Sequence, residues 1–226
     1  MGLQHLSRIV TNDLVAYFDV ANTRSYIGSG TTVNGLVSGI GFTLTNGVGF
    51  GTTGTSYFIF DGTDDNIPFS IPSPGTILSI EMWARIKAFA GGMPFGFNQY
   101  DVWTANGAMG YNTAASDQYG LTSTQVTNLG LANQWKHYVF EMRTDVSYSN
   151  NKIYINGQNQ SLSQVAGTEN AGLRTFNSGN GRISSWLNSS AFNISMDLAQ
   201  FRIYSRALTA AEVLQNYNAA KKRYGL

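Results

Sequence analysis

The sequence contains no cysteine, which removes disulfides, zinc–thiolate sites and thiol nucleophiles together. That absence also argues against a disulfide-stapled secreted module. Histidine occurs only as His5 and His137, and a Ser-His-Asp relay needs an oriented imidazole base. Glutamate is limited to Glu81, Glu141, Glu169 and Glu212. Charged residues make up 12% of the chain, about half the usual share, and the formal net charge is +1. The basic excess of a nucleic-acid-binding surface is therefore missing. The one basic run, Lys221-Lys222-Arg223, suits a last helical turn facing the helix dipole. No apolar run approaches the roughly 18 residues of a membrane helix. The opening Met1 to Arg8 lacks the apolar stretch of a signal peptide. Together these absences fit a protein made in the cytoplasm and meant for assembly, with neither nucleic acid nor membrane as partner.

What is abundant points to β-structure. Aromatics reach 13%, with 12 Tyr and 13 Phe, and these suit a pleated, half-buried surface. The 25 Gly, with many Asn, suit frequent turns between short strands. Ser56 to Phe60 followed by Asp61-Gly62 and then Asn66 to Ile71 reads as a hairpin. All four prolines fall between Pro68 and Pro94, so that stretch should hold strand ends and loops rather than a central strand. Thr76 to Lys87 and Trp135 to Arg143 are long alternating strands, and Lys152 to Ile155 meets Asn156-Gly157, a strong hairpin signal. Ala199 to Tyr204 is the last strand. One helix is expected over roughly 209–220. Thr209 and Glu212 form a capping box there, Leu208 and Val213 a hydrophobic staple, and Val213, Leu214 and Tyr217 an apolar stripe. No repeat or composition break divides the chain. We read one domain over 14–226, with residues 1–13 as an arm or edge strand.

Alternation also sorts faces. Ile80, Met82, Ile86, Tyr138, Phe140, Met142, Ile153, Ile155, Phe201 and Ile203 fall on one side of their strands and form the expected core. The opposite side carries Glu81, Trp83, Arg85, His137, Glu141, Arg143, Tyr154, Arg202 and Tyr204. Two readings of this outer face stand. It is a ladder of cross-strand ion pairs, or it is a contact surface, since aromatics and Arg mark interfaces and sugar sites. On the second reading Trp83, Arg85, His137, Arg143, Tyr154, Arg202 and Tyr204 are the candidate ligand or interface residues.

Three ordered stretches carry a family resemblance. They are Phe60-Asp61-Gly62-Thr63-Asp64-Asp65-Asn66-Ile67 with Ser79 to Trp83; Gln134 to Phe140 with Lys152 to Gly157; and Met196 to Val213. Together they resemble the "FDG" hairpin and tryptophan strand, the "W-x-H" and "YxNG" pair, and the closing strand and helix of the concanavalin A-like lectin/glucanase superfamily, laminin G-like branch. The resemblance implies an all-β, two-sheet antiparallel jelly-roll sandwich with one short C-terminal helix. Residues 14–32 and 214–226 are further similar to the ends of jelly-roll proteins in tailed-phage virions.

In the laminarinase-like glycosidases of the superfamily both carboxyls sit on one strand as Glu-x-Asp-x-x-Glu or a close variant, a run this chain lacks. Only Glu81 and Glu141, on neighbouring strands, could form a carboxyl pair. No catalytic residue is therefore assigned and no cofactor is required. Asp61, Asp64, Asp65 and Asn66 gather hard oxygens in one loop, which makes calcium the candidate ion, as the resemblance also implies. The expected function is a non-catalytic virion structural protein, a capsid decoration, fibre or tail-associated subunit. Its expected partners are major capsid or tail proteins, copies of itself and host-surface polysaccharide. The alternative is a stand-alone carbohydrate-binding lectin module. The apolar termini, Leu3, Leu6, Ile9 and Val10 at one end and Tyr224 and Leu226 at the other, suggest that at least one docks on a neighbouring subunit.

Overall fold

A computed structural model of the protein describes residues 8–37, 39–113, 116–187 and 191–226. They form the expected all-β sandwich. One antiparallel sheet runs, edge to edge, Gln158–Asn159, Lys152–Ile155, Lys136–Arg143, Ile77–Ile86, Ser195–Tyr204, Tyr57–Asp61, Gly49–Gly51. Leu14–Asp19 adds to the second half of Ser195–Tyr204, where Tyr57–Asp61 leaves off. The second sheet runs Ser163–Ala166, Gln118–Leu121, Ala108–Asn112, Asp101–Ala105, Phe95–Gly96, Asn180–Ile183, Ile67–Ser70. Pro68 sits on the last of these, an edge strand, where its missing N–H costs no ladder bond.

Between the sheets lies the core that alternation selects. Ile80, Met82, Ile86, Tyr138, Phe140, Met142, Phe201 and Ile203 are all fully buried, against Phe95, Val102, Met109, Tyr111 and Leu121 of the other sheet. The Asn156-Gly157 turn is also as expected. Both residues take positive φ (51° and 81°), and Ile155 pairs with Gln158 across it.

The stretch read as a hairpin around Asp61-Gly62 is different. Tyr57–Asp61 belongs to the first sheet and Ile67–Ser70 to the second, so residues 62–66 carry the chain between sheets. The reason is burial. Phe60, Ile67 and Phe69 all point into the space between the sheets, which a hairpin in one sheet cannot fill from both sides. A short helix absent from the sequence reading, α1 (Ser123–Asn128), is capped by Thr122 and Gln125.

The C-terminal helix, α2 (Ala210–Ala220), has the expected box between Thr209 and Glu212. Its buried stripe is Val213, Asn216 and Ala220, while Leu214 is exposed. A 3-10 turn, Lys221–Tyr224, continues it. Helix and turn lie on the outer face of the first sheet, making a third layer. Val213 packs with Val10, Leu14, Val139, Tyr154, Tyr204 and Leu208, and Ala220 and Tyr224 pack with Tyr57, Trp83 and Ala199. Among the described residues, no helix is long and apolar enough to cross a membrane.

Candidate functional site

The third layer overturns the expectation of an open outer face. Trp83, His137, Tyr154, Arg202 and Tyr204 are buried beneath it. Glu81 is their hub. Its carboxylate accepts from Arg202 Nη1, from His137 Nε2 at 3.1 Å and from Asn216 Nδ2 of α2 at 2.6 Å. Asn216 Oδ1 in turn accepts from the Val10 amide at 2.7 Å, and the Tyr204 hydroxyl donates to the Val10 carbonyl at 3.0 Å. Burial acts to raise the Glu81 carboxyl, but the Arg202 charge and the His137 and Asn216 hydrogen bonds outweigh it and hold it at about 2. The Arg202 guanidinium also lies 4.6 Å from the centre of the Tyr17 ring. Trp83 is stacked on Tyr224 with ring centres 4.0 Å apart.

Arg85 and Arg143 are partly exposed but engaged, the first by Asp197 and the second by Asp145 through two bonds of 3.1 and 2.7 Å. The seven residues therefore do not converge on a ligand surface. The apolar stripe of α2 was the available signal. A helix joined to the closing strand by a short link must bury that stripe on the nearest sheet face. The C-terminal Tyr224 is docked within its own domain, as is Val10, so the neighbour-docking expectation does not hold for these residues. Leu3 and Leu6 lie outside the described residues. Glu141 is buried and accepts from Lys152 Nζ at 3.1 Å.

At the crossing between sheets, Asp61, Asp64 and Asp65 each bring a carboxylate oxygen within 4.8 Å of the others. Asp65 is buried. Its Oδ2 accepts from the Asp61 amide at 3.0 Å, while its Oδ1 is buried without a hydrogen-bond partner. Burial, with the Asp61 and Asp64 charges, raises its pKa against the pull of that amide. Asn66 is turned away to a structural task, its Nδ2 donating to the Asp64 carbonyl at 2.9 Å. The donor set is three hard carboxylates, one of them unsatisfied, and it fits a divalent cation such as calcium.

The second sheet carries a pocket that the sequence reading did not single out. Asp101 and Trp103 lie two apart on one strand and so share its outer face. Asn112 pairs with Asp101 from the next strand. Met93, Ser116, Trp186 and Phe192 close the rim around a cavity of about 150 Å³. Both indole N–H groups are anchored away from it, Trp103 Nε1 to the Gly91 carbonyl at 3.2 Å and Trp186 Nε1 to the Asn98 carbonyl, which fixes the rings. Phe192 stands between them, 40% exposed, with ring centres 6.4 Å from Trp103 and 6.0 Å from Trp186.

Asp101 forms the floor. It is fully buried, and among the described residues neither carboxyl oxygen has a hydrogen-bond partner. Burial pushes its pKa well above the ordinary carboxylate range. Gly96 makes the room, since a Cβ there would stand 1.8 Å from Asp101 Oδ1. Phe192 also lines a second, shallower cavity of about 450 Å³ that reaches Asp61, so the acidic loop and the aromatic pocket are neighbours. Asp-Val-Trp alternation was the one local signal for this site. The other walls come from loops that meet only in the fold.

A sequence profile of the concanavalin A-like lectin/glucanases superfamily matches residues 43–214. The chain belongs to this superfamily. A comparison with curated proteins returned no match. Among solved structures, this superfamily domain is similar to the binding domain of Paraclostridial Mosquitocidal Protein 1 (TM-score 0.64, 16% identity, covering 92% of this chain and 52% of that one). It is similar to the receptor binding domain of botulinum neurotoxin C/D mosaic serotype (TM-score 0.61, 11% identity, 91% and 51%). It is also similar to Trypanosoma rangeli sialidase in complex with the inhibitor DANA (TM-score 0.64, 10% identity, 95% and 34%). The chain spans about half the length of the two toxin domains and about a third of the sialidase. At these identities the likeness is one of fold.

Proposed function

We propose that this superfamily domain is a non-catalytic glycan-binding module whose ligand seat is the aromatic pocket of the second sheet. The observation that carries this is the convergence of fixed Trp103 and Trp186 rings and Phe192 on the unpartnered carboxyl of Asp101. Apolar rings stack on the C–H faces of a sugar while a few buried polar groups take its hydroxyls, the usual composition of a small-molecule pocket. A non-catalytic role is favoured by the fate of the carboxyls. Glu81 is held ionised by its three partners under the third layer, and Glu141 is buried and accepts from Lys152 rather than lying in a cleft. The toxin neighbours are named as binding domains, which accords with this reading. Trp103→Ala is expected to weaken glycan binding by about tenfold or more, equivalent to about 1.4 kcal/mol. Titration calorimetry against sugars found on a glycan array measures it. Unchanged affinity would move the seat elsewhere.

The virion setting is a finer proposal, resting on the resemblance of residues 14–32 and 214–226 to tailed-phage proteins. In that setting the module would be a structural subunit beside capsid or tail proteins and its own copies, presenting the pocket to host-surface polysaccharide. Peptides of this chain in purified particles would support it, and their absence would remove it.

Calcium is proposed at Asp61, Asp64 and Asp65. Occupancy would satisfy Asp65 Oδ1 and tie the sheet crossing together. A ligand present at 100 times its Kd stabilises by about 2.7 kcal/mol. Millimolar calcium is therefore expected to raise the melting temperature by several degrees, a chelator to reverse it, and Asp65→Ala to abolish the response. No shift with calcium would remove the assignment.

A further inference from the structure

The pocket on the second sheet is built for one sign of charge. Its polar floor is Asp101, whose two oxygens are both buried and both without a partner. A buried carboxyl in that state is costly unless something donates to it. Among the described residues nothing does. Met93, Asn112, Trp103, Trp186 and Phe192 surround it, and among the described residues no Lys, Arg or His lines the cavity. The Asn112 amide is directed to the Asp117 carbonyl at 2.8 Å. Charged positions on the adjoining elements include Asp117, bonded to Asn112 and Thr113, and Arg182. Arg182 faces Gly96 on the strand beyond and donates to the Trp186 carbonyl. Aromatic rings present negative faces. A carboxyl and three such rings meeting in one cavity are complementary to a cation and to nothing anionic.

We infer that the ligand group seated on Asp101 is a protonated amine, and that the glycan recognised is an amino sugar with a free amine. This rests on the glycan-binding reading and names its substrate class. A primary ammonium donates three N–H bonds. It can satisfy both Asp101 oxygens at once and still lie against the rings, which a neutral hydroxyl cannot do while balancing the carboxylate charge. Burial favours the neutral acid form of Asp101. Where Asp101 starts protonated, seating an ammonium on it as the carboxylate releases that proton. In the range where Asp101 is protonated and the amine charged, affinity rises about tenfold per pH unit.

The test is calorimetry of the whole chain with glucosamine, glucose and N-acetylglucosamine, and with cyclohexylamine and cyclohexanol as a sugar-free pair. Each titration is run in two buffers of different ionisation enthalpy. Glucosamine is expected to bind at least about tenfold tighter than either neutral sugar, with net proton release. Asp101→Asn, near-identical in shape, should bring glucosamine down to the neutral sugars. Its melting temperature is recorded alongside to establish that it folds, and its binding of the neutral sugars serves as the second readout. Equal binding of glucosamine and glucose, or an Asp101→Asn protein that keeps the preference, overturns the amine inference and leaves the glycan reading standing. Preference for cyclohexylamine over cyclohexanol with no sugar bound would keep the amine seat and remove the glycan reading. No binding of any amine overturns the inference.

Discussion

Replacing Arg202 with Met is expected to destabilise the domain by about 3–5 kcal/mol, the cost of stranding a buried charge without its partner. The stranded group is Glu81, fully buried between the first sheet and the layer over it. His137 and Asn216 would remain as its only hydrogen-bond partners. Urea unfolding gives the number directly. Removing both charges, as Glu81→Leu with Arg202→Met, should recover much of the loss, because paired buried charges often add little over apolar residues of similar volume. A double variant as unstable as the single one would mean the residues matter by shape and not by charge.

The same pair sets an acid limit. The folded pKa of Glu81 lies at about 2, below its ordinary value of 4.5. A lowered folded pKa contributes stability that is fully present above the unfolded value and is lost as pH falls through the folded one. The wild-type domain should therefore lose this contribution between about pH 4.5 and 2. The Arg202→Met protein should lose much less, since only the His137 and Asn216 hydrogen bonds then oppose burial.

How much of this was legible in the sequence depends on the range over which each signal acts. Period-two alternation is local, and it assigned Ile80, Met82, Phe140 and Phe201 to the core correctly. Asn156-Gly157 and the Thr209–Glu212 box are local as well, and both features formed where expected. The same Thr-x-x-Gln signal at Thr122 and Gln125 marks α1 and went unread. Alternation states only that two faces differ. It does not state what lies on the polar one, and the face with Glu81, Trp83 and Arg202 reads as surface in the sequence although α2 covers it. Scarce charge was a usable warning. Arg202 and Glu81 spaced for mutual contact, on a face also holding Trp83 and Tyr204, describe a buried network as well as they describe an interface. The Asp61-Gly62 stretch failed for a related reason. A turn signal predicts reversal of the chain but not which sheet receives it. The Asp101 pocket had the weakest signal of all, because Phe192 and Trp186 reach it from a loop some eighty residues downstream of Trp103.

Tyr224 decides what the end of the chain does. Its ring lies on Trp83 at 4.0 Å and near parallel, and it is also 5.2 Å from Trp135. The neighbouring Arg223 donates to both oxygens of Asp19, at 2.9 and 2.8 Å. That ties the last turn to Leu14–Asp19, whose Asp19 also accepts from Gln200 at 2.9 Å. Tyr224→Ala removes a large, mostly buried ring from this stack and is expected to cost about 3–5 kcal/mol, the range for large aromatic-to-alanine changes in cores. Trp83 would gain contact with water, so its fluorescence should shift to the red in the native state before unfolding begins. Deleting residues 221–226 should cost at least as much, since the Asp19 contact goes too. A tail meant for a neighbouring subunit would behave in the opposite way. Its removal would leave the melting temperature and the fluorescence of the isolated domain unchanged and would act only on assembly. The stack on Trp83 places Tyr224 in the fold, so the effect belongs to the monomer.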